Sequence, residues 1–550
     1  MAVSRREFIT RVGQAGGFSA AFLTMQTLGM LPAKAEMVAP IEAAPGSGKG
    51  VKVVILGGGI AGLVAAYEMR KLGYECTVLE ARSRPGGRNW TVRGGDKITF
   101  TDGTVQTCTF NEGNYQNVGP ARLPSVHRHI LNYCKELGVQ LEIEVNTSRS
   151  TLLENDKANG GKPVEQRQAI NDTRGHVAEL LTKSINAGAL DAELSKEDHQ
   201  RMLEFLAKYG PLDETGKYVG SDRAGYAVEP AAGSEAGTLR LPMNMHTLLD
   251  ASFWDGLLFE EAFDMQATMF QPVGGMDRIP YAFAKSLGSI VKFDSPVTEI
   301  RKTAKGVRVG YTQGGAAKTI EAEFCFCAMP LSILKKIPND FSAPYKKVID
   351  ECVYAHAYKV AWESRRFWEQ DYNIYGGLEF VSEGPSPIWF PSARMFSERG
   401  VLVAGYTDER RSDFGKLTVA EKFDASRGSI EKLHPGHGKE LEKPIYVGWG
   451  KIPYNEGSWI QSYGPGQDRA PGALAVPGQP KPKMTPKGDN PGYDVLLQPD
   501  GPIYFVGDHV SHWVGWQEGA AESSLRAIKM MGERVKSAKV AVAASSVVSA

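Results

Sequence analysis

Gly57, Gly59 and Gly62 are spaced to cradle a phosphate, and Glu80 follows at the distance where a carboxylate accepts from a sugar hydroxyl. Gly57 permits a tight turn, Gly59 lets the backbone approach a pyrophosphate, and Gly62 lets the next helix pack closely on the strand before it. These roles need particular elements. Val51-Lys-Val-Val-Ile-Leu56 is a short apolar run that reads as a buried parallel strand. Ile60 to Leu72 reads as a helix whose free N–H groups and positive end aim at phosphates. Tyr74 to Glu80 reads as a second strand that ends in the acid. The glycines alone are a weak signal, but strand, turn, helix, strand and acid in that order specify a bound dinucleotide.

The residues just beyond Glu80 narrow the choice of dinucleotide. Ala81-Arg82-Ser-Arg84-Pro-Gly86-Gly87-Arg88 sets three arginines and two glycines directly after the acid, for which a nicotinamide site has no standing use. The segment resembles the Glu-Ala-Arg…Gly-Gly-Arg stretch of the flavin amine oxidase superfamily. That resemblance implies that Ala81, Arg82, Gly87 and Arg88 contact an FAD diphosphate near the flavin ring. Other segments continue it in chain order. Gln271-Pro-Val-Gly-Gly-Met-Asp-Arg-Ile-Pro280 resembles the family's Gly-Gly-Met segment, and Val297, after Ser295-Pro296, stands where its adenine-contacting valine does. Tyr504-Phe-Val-Gly507-Asp508 reads as a buried strand whose Asp508 the resemblance assigns to the ribityl chain. Gly515-Trp516-Gln-Glu-Gly-Ala520 then opens a helix turned toward the flavin pyrimidine. The resemblance spans residues 51 to 530 and implies FAD.

Within that superfamily, Asn117-Val-Gly119-Pro120-Ala121-Arg122-Leu-Pro124 resembles the Gly-Pro-Met-Arg-Leu-Pro segment of bacterial and snake-venom-type L-amino-acid oxidases. By resemblance, Gly119, Pro120, Ala121 and Arg122 lie against the cofactor and Arg122 binds the substrate carboxylate. A planar guanidinium suits that task, because two parallel charge-assisted hydrogen bonds fix orientation as well as position. The resemblance further implies that Tyr406 is a second carboxylate contact, that Trp516 walls the substrate, and that the Gly515 carbonyl accepts from its amine. Lys359 matches the lysine that holds a water beside flavin N5. Where monoamine oxidases carry a flavin-linked cysteine, this chain has Gly457-Ser458-Trp459, so FAD is expected to be noncovalent. Phe253, Trp254 and Trp449 are candidates for lining the side-chain pocket. The implied reaction is oxidative deamination of L-amino acids by O2 to 2-oxo acids, ammonia and hydrogen peroxide. His512-Trp513-Val-Gly-Trp516 resembles a monoamine oxidase segment equally well, which keeps a monoamine or polyamine oxidase open. An amino-acid 2-monooxygenase and a flavin-binding protein without turnover are the other readings.

The expected fold is α/β, with a discontinuous Rossmann-like FAD-binding domain at 50–97, 271–345 and 497–537. A mixed-sheet substrate-binding domain takes 98–163 and 346–496, a helical insertion 164–270, and a disordered tail 538–550. Glu321 to Ala328 reads as one strand, and Pro465 to Pro502 as a Pro/Gly-rich loop.

The 550 residues carry 63 basic and 63 acidic side chains, a balance that argues against nucleic acid as a partner. Ser4-Arg-Arg-Glu-Phe-Ile-Thr10, a mildly apolar stretch and Ala33-Lys-Ala35 make residues 1–35 look like a twin-arginine signal peptide. That predicts export by the twin-arginine machinery to a periplasmic or secreted location. Six cysteines in such a chain read as buried thiols, and the His434/His437 and His509/His512 pairs lack companions at metal spacing, so no metal is expected. Family resemblance suggests a homodimer.

Overall fold

The computed structural model describes residues 45–411, 413–464 and 491–548. The expected export signal and most of the Pro/Gly-rich loop fall outside them. The first strand, Lys52–Leu56, buries every residue after Lys52, as a parallel strand covered on both faces must. It pairs in parallel with Glu75–Leu79 on one side and Phe324–Cys327 on the other. Val291–Lys292 and Ile503–Phe505 complete a five-stranded sheet whose members come from three distant parts of the chain. This sheet is therefore discontinuous in sequence. Helix Ile60–Lys71 covers one face together with Arg278–Leu287 and the long C-terminal helix Gln517–Val548. Cys325 and Cys327 are buried on its other face, where burial pushes the Cys327 thiol up to about 12.

A second, antiparallel sheet runs in the order Gly377–Glu379, Ile388–Phe390, Arg399–Asp408, Ala357–Arg365, Glu442–Gly448. Its inner strand Ala357–Arg365 is buried almost throughout and forms a separate core, its Trp362 included, with Phe367, Trp368 and Phe390. In sequence, a helical region with Gln166–Asn186 and Lys196–Tyr209 as its main members falls between the strands Glu75–Leu79 and Val291–Lys292 of the first sheet.

Several expectations are corrected. Glu321–Ala328 is not one strand: Ala316–Ala322 closes an antiparallel meander, and Phe324–Cys327 is the separate parallel strand. The expected tail at 538–550 is helical to Val548, because nothing after Gly532 breaks the helix and alanine favours it. Expected boundaries also cut elements or part paired strands. Val164–Glu165 pairs back with Leu152–Leu153, Met269–Pro272 pairs with Leu141–Glu144, and helix Pro491–Leu497 lies inside the segment read as loop. Shifts in composition mark helices and turns, but not pairing with distant chain. The stretch from Tyr354 to Tyr463 also holds a 15-residue helix, Val419–Leu433, which the Thr418/Glu421 capping box announces in the sequence.

Candidate active site

A cleft of about 710 Å3 runs between the two sheets, a size suited to a small-molecule or cofactor site. The parallel sheet contributes Gly57, Gly59, Glu80, Ala81 and Arg82 to its lining. Gly57 sits at φ +105°, a left-handed conformation that other residues avoid. A Cβ on Gly62 would lie 2.0 Å from the Gly57 carbonyl oxygen, whereas one on Gly59 would meet no protein atom within 4 Å. The third glycine thus permits helix packing, and the second leaves room for a ligand. Gly62 itself lies beneath the cleft and does not line it.

Glu80 is buried and accepts from Gly58 N–H at 2.7 Å and from Arg82 N–H at 2.9 Å, which holds its carboxylate at the end of the second strand. The Arg82 guanidinium turns to the Pro453 carbonyl and donates to Asn455 Oδ1 at 2.5 Å. Gly87, Arg88, Val297, Gly507 and Asp508 also line the cleft. Arg88 forks onto Asp508 through both guanidinium NH2 groups, and Asp508 Oδ2 accepts from Gly515 N–H at 3.0 Å. Burial alone would push the Asp508 carboxyl up, but the charge and hydrogen bonds of Arg88 outweigh it and hold it below its ordinary range.

Three buried polar atoms in the lining have no partner among the described residues: Asn89 Oδ1, His509 Nε2 and Gln517 Nε2. Buried polar groups are seldom left unpaired, so these call for a polar ligand. Together with the empty space beside Gly59 and a carboxylate at the second strand's end, they fit a flavin dinucleotide.

On the second sheet, Lys359 and Tyr406 are register partners on neighbouring strands, so they stand side by side, with the Lys359 ammonium 5.1 Å from the Tyr406 ring centre. The pairing slips just after Lys359, an irregularity that re-aims side chains. A lysine on a strand usually faces water. Lys359 does not, because its strand is an inner one and covered on both faces. Its Nζ donates to the Asn117 and Gly119 carbonyls at 2.7 Å each. Burial, then the charge of Arg122, bring its pKa down to about 7.

Arg122 and Ala121 do not line the main cleft; they lie at its end, where Ala121 packs with Leu378, Trp389 and Val403. Arg122 is 9% exposed, with its guanidinium carbon 4.4 Å from the Trp389 ring centre and 5.5 Å from that of Phe259. Its one side-chain hydrogen bond goes to Asn146 Oδ1, and among the described residues no carboxylate forms an ion pair with it. Burial pulls its pKa down while Glu144, Tyr406 and Asp264 act on it through charge. Trp516, Gly515, Gly119 and Pro120 line the cleft beside Lys359 and Tyr406. Trp516 donates through Nε1 to Asp264 Oδ2 at 3.0 Å, and its ring meets that of His127 edge-on at 4.8 Å.

Sequence reasoning missed Glu144, Asp264, His127 and Trp389. Glu144 is buried, accepts from Trp389 Nε1 at 3.0 Å, and has its other oxygen unpartnered. Burial raises its pKa to about 7 against the opposing charge of Arg122. No local motif surrounds any of the four. Of the three aromatic candidates, Trp449 lines the cleft, whereas Phe253 belongs to a small core with Leu153 and Ala158, and Trp254 is exposed. One group among the described residues has the spacing to hold a cation, His129 with Glu518 and Glu522. Glu518 instead accepts from the backbone N–H groups of His129 and Ile130 at the start of helix Arg128–Glu136.

The model of the flavin containing amine oxidoreductase family matches residues 60–527. The flavin-dependent L-tryptophan oxidase of Lentzea aerocolonigenes is 25% identical over 516 residues, covering 87% of this chain and 97% of that one. The L-amino-acid oxidase of Pseudechis australis is 25% identical over 488 residues, covering 87% and 86%. Among solved structures, cyclohexylamine oxidase from Brevibacterium oxydans superposes with a TM-score of 0.56 at 16% identity, covering 88% of this chain and 99% of that one. Putrescine oxidase bound to putrescine gives 0.54 at 19% identity, with the same coverage. At such identities these structures speak for the fold alone.

Proposed function

The chain belongs to the flavin containing amine oxidoreductase family, and on that premise we propose that it is an FAD-dependent L-amino-acid oxidase. Membership makes it a flavoprotein enzyme; the substrate is the proposal. The observation that carries it is Arg122, a buried cation with no ion-pair partner among the described residues. A buried guanidinium with no carboxylate in contact is costly, and a substrate carboxylate would supply that contact. Tyr406, facing the same charge, would contribute a hydroxyl hydrogen bond. Curated relatives named as L-amino-acid and L-tryptophan oxidases support the reading.

FAD would be held noncovalently along the cleft, its ribose on Glu80, its adenine by Val297, its diphosphate over Gly57, Gly59, Gly87 and Arg88, and its ribityl chain on Asp508. When bound, the flavin accepts the hydride from the substrate Cα. The protein's part is positioning. Arg122 and Tyr406 fix the carboxylate, the Gly515 carbonyl accepts from the amine, and Trp516 closes one side. A dry pocket lowers an ammonium pKa, which favours the uncharged amine without a dedicated base. Lys359 would orient the water that hydrolyses the imino acid to 2-oxo acid and ammonia, with O2 leaving as hydrogen peroxide. In this reading residues 1–35 direct the enzyme out of the cytoplasm.

Anaerobic mixing of the flavin-loaded protein with L-amino acids and with their decarboxylated amines tests the proposal. Amino acids are expected to bleach the flavin absorbance and the amines to do so at least about tenfold more slowly. Faster bleaching by the amines would make the protein an amine oxidase instead.

A further inference from the structure

The substrate end of the cleft contains more charge than the reaction uses. Arg122 and Lys359 are its cations, and Glu144 and Asp264 are its carboxylates. Glu144 lies deep, tied to Trp389 and acting on both cations. Asp264 comes from the far end of the helical region and is only half-buried. It reaches the site along one line of contact, its Oδ2 accepting from Trp516 Nε1 at 3.0 Å. No other hydrogen bond or ion pair to its side chain occurs among the described residues, which leaves Oδ1 free. Its segment is fixed in place, since Asn146, the partner of Arg122, also donates to the Met265 carbonyl at 3.0 Å.

From these positions we infer that the enzyme selects L-amino acids with a cationic side chain, and that Asp264 is the residue that reads the cation. The inference rests on the amino-acid-oxidase reading above. The charges of the site balance, Arg122 against Asp264 and Lys359 against Glu144, the latter two each partly charged near pH 7. Adding an α-carboxylate, with the amine in its neutral reactive form, leaves one negative charge in excess. A side-chain cation removes that excess, whereas a neutral side chain leaves it buried. The geometry suits a long chain. Asp264 stands at the Nε1 edge of Trp516, so a substrate side chain lying along that indole face would end beside it. A cation crossing the indole face is also favoured by the ring quadrupole. The nearest ring, His127, cannot serve as that cation, because burial brings its pKa down to about 4.

Neutral isosteres give the test: L-lysine against L-norleucine, and L-arginine against L-citrulline, with cadaverine as the amine lacking a carboxylate. The wild-type flavin-loaded enzyme is expected to show kcat/KM for each cationic member about 10²-fold above its neutral partner. In Asp264→Asn, whose amide oxygen can still accept from Trp516, that ratio is expected to collapse toward unity, and Asp264→Glu should retain most of it. A binding measurement without turnover accompanies it. Perturbation of the flavin spectrum should show 6-aminohexanoate binding roughly tenfold or more tighter than hexanoate in the wild type and equally in Asp264→Asn. Equal wild-type ratios, or a ratio that survives Asp264→Asn, overturns the inference. So does a ratio that collapses only in Glu144→Gln, which would put the side-chain pocket at Glu144. Oxidation of neutral and cationic amino acids alike refutes this inference alone, whereas oxidation of cadaverine with no amino acid oxidised refutes the reading beneath it as well.

Discussion

Lys359 is an amine kept near neutrality by its surroundings, and that has a consequence for stability as well as chemistry. Its folded pKa, about 7, lies below the ordinary 10.5. Between those values the unfolded chain binds the proton that the folded chain has lost, so stability rises with pH across this window and is flat below about pH 7. Lys359→Met removes that dependence. Urea unfolding midpoints from pH 7 to 10 are expected to climb for the wild type relative to Lys359→Met, by up to about 1.4 kcal/mol per pH unit; parallel curves would show that the lysine titrates normally. Asp508 works with the same sign in a lower window. Its depressed pKa contributes stability above the ordinary carboxyl range, and this is lost as pH falls through the folded value. The site residues differ in how far the sequence announces them. Arg122, Lys359 and Tyr406 could be picked out by resemblance, but their partners could not. Glu144, Asp264 and Trp389 converge from positions far apart in the chain and carry no spacing that a local reading could detect.

Among the elements, the glycine turn makes two separable predictions. Gly62→Ala places a methyl group 2.0 Å from the Gly57 carbonyl, so strand and helix must part. Gly59, at φ −74° with nothing near its missing Cβ, accepts alanine in the apoprotein and fails only when a ligand fills the space. Gly59→Ala is expected to unfold at the wild-type temperature as apoprotein yet purify with little flavin, whereas Gly62→Ala should lose stability by about 1–3 kcal/mol with or without cofactor. Flavin content by absorbance and thermal unfolding of the apo forms separate the two; equal destabilisation by both would contradict the assignment of Gly59 to the ligand. This turn was legible because strand, glycines, helix and acid lie within thirty or so residues and each depends on local chemistry. The helix Val419–Leu433 was not read from the sequence, although Thr418 and Glu421 mark its start, because following apolar alternation alone hides it among strands. The split at Glu323 and the strands Val164–Glu165 and Met269–Pro272 were not legible, since each is defined by a partner strand elsewhere.

Across the whole molecule, the cleft is built from both sheets, so the cofactor is a tie between two cores that otherwise have separate interiors. A ligand that binds only the folded form stabilises it by about 2.7 kcal/mol at a hundredfold excess over Kd. Adding FAD to apoprotein is expected to raise the unfolding temperature by a few degrees, with both cores melting in one transition. Acid or guanidinium denaturation should release all of the flavin into the supernatant, as the absence of cysteine at Gly457-Ser458-Trp459 predicts; flavin retained on the precipitated chain would mean a covalent bond. Above all, the proposed function makes one buried guanidinium the reader of an amino acid's carboxylate, and kcat/KM for L-amino acids and for their decarboxylated amines, in wild type and Arg122→Ala, puts that to the test. The expected outcome is a loss of about 10²-fold or more on the amino acids, carried mainly by KM, and little loss on the amines. Equal losses on both would show that Arg122 does not read the carboxylate.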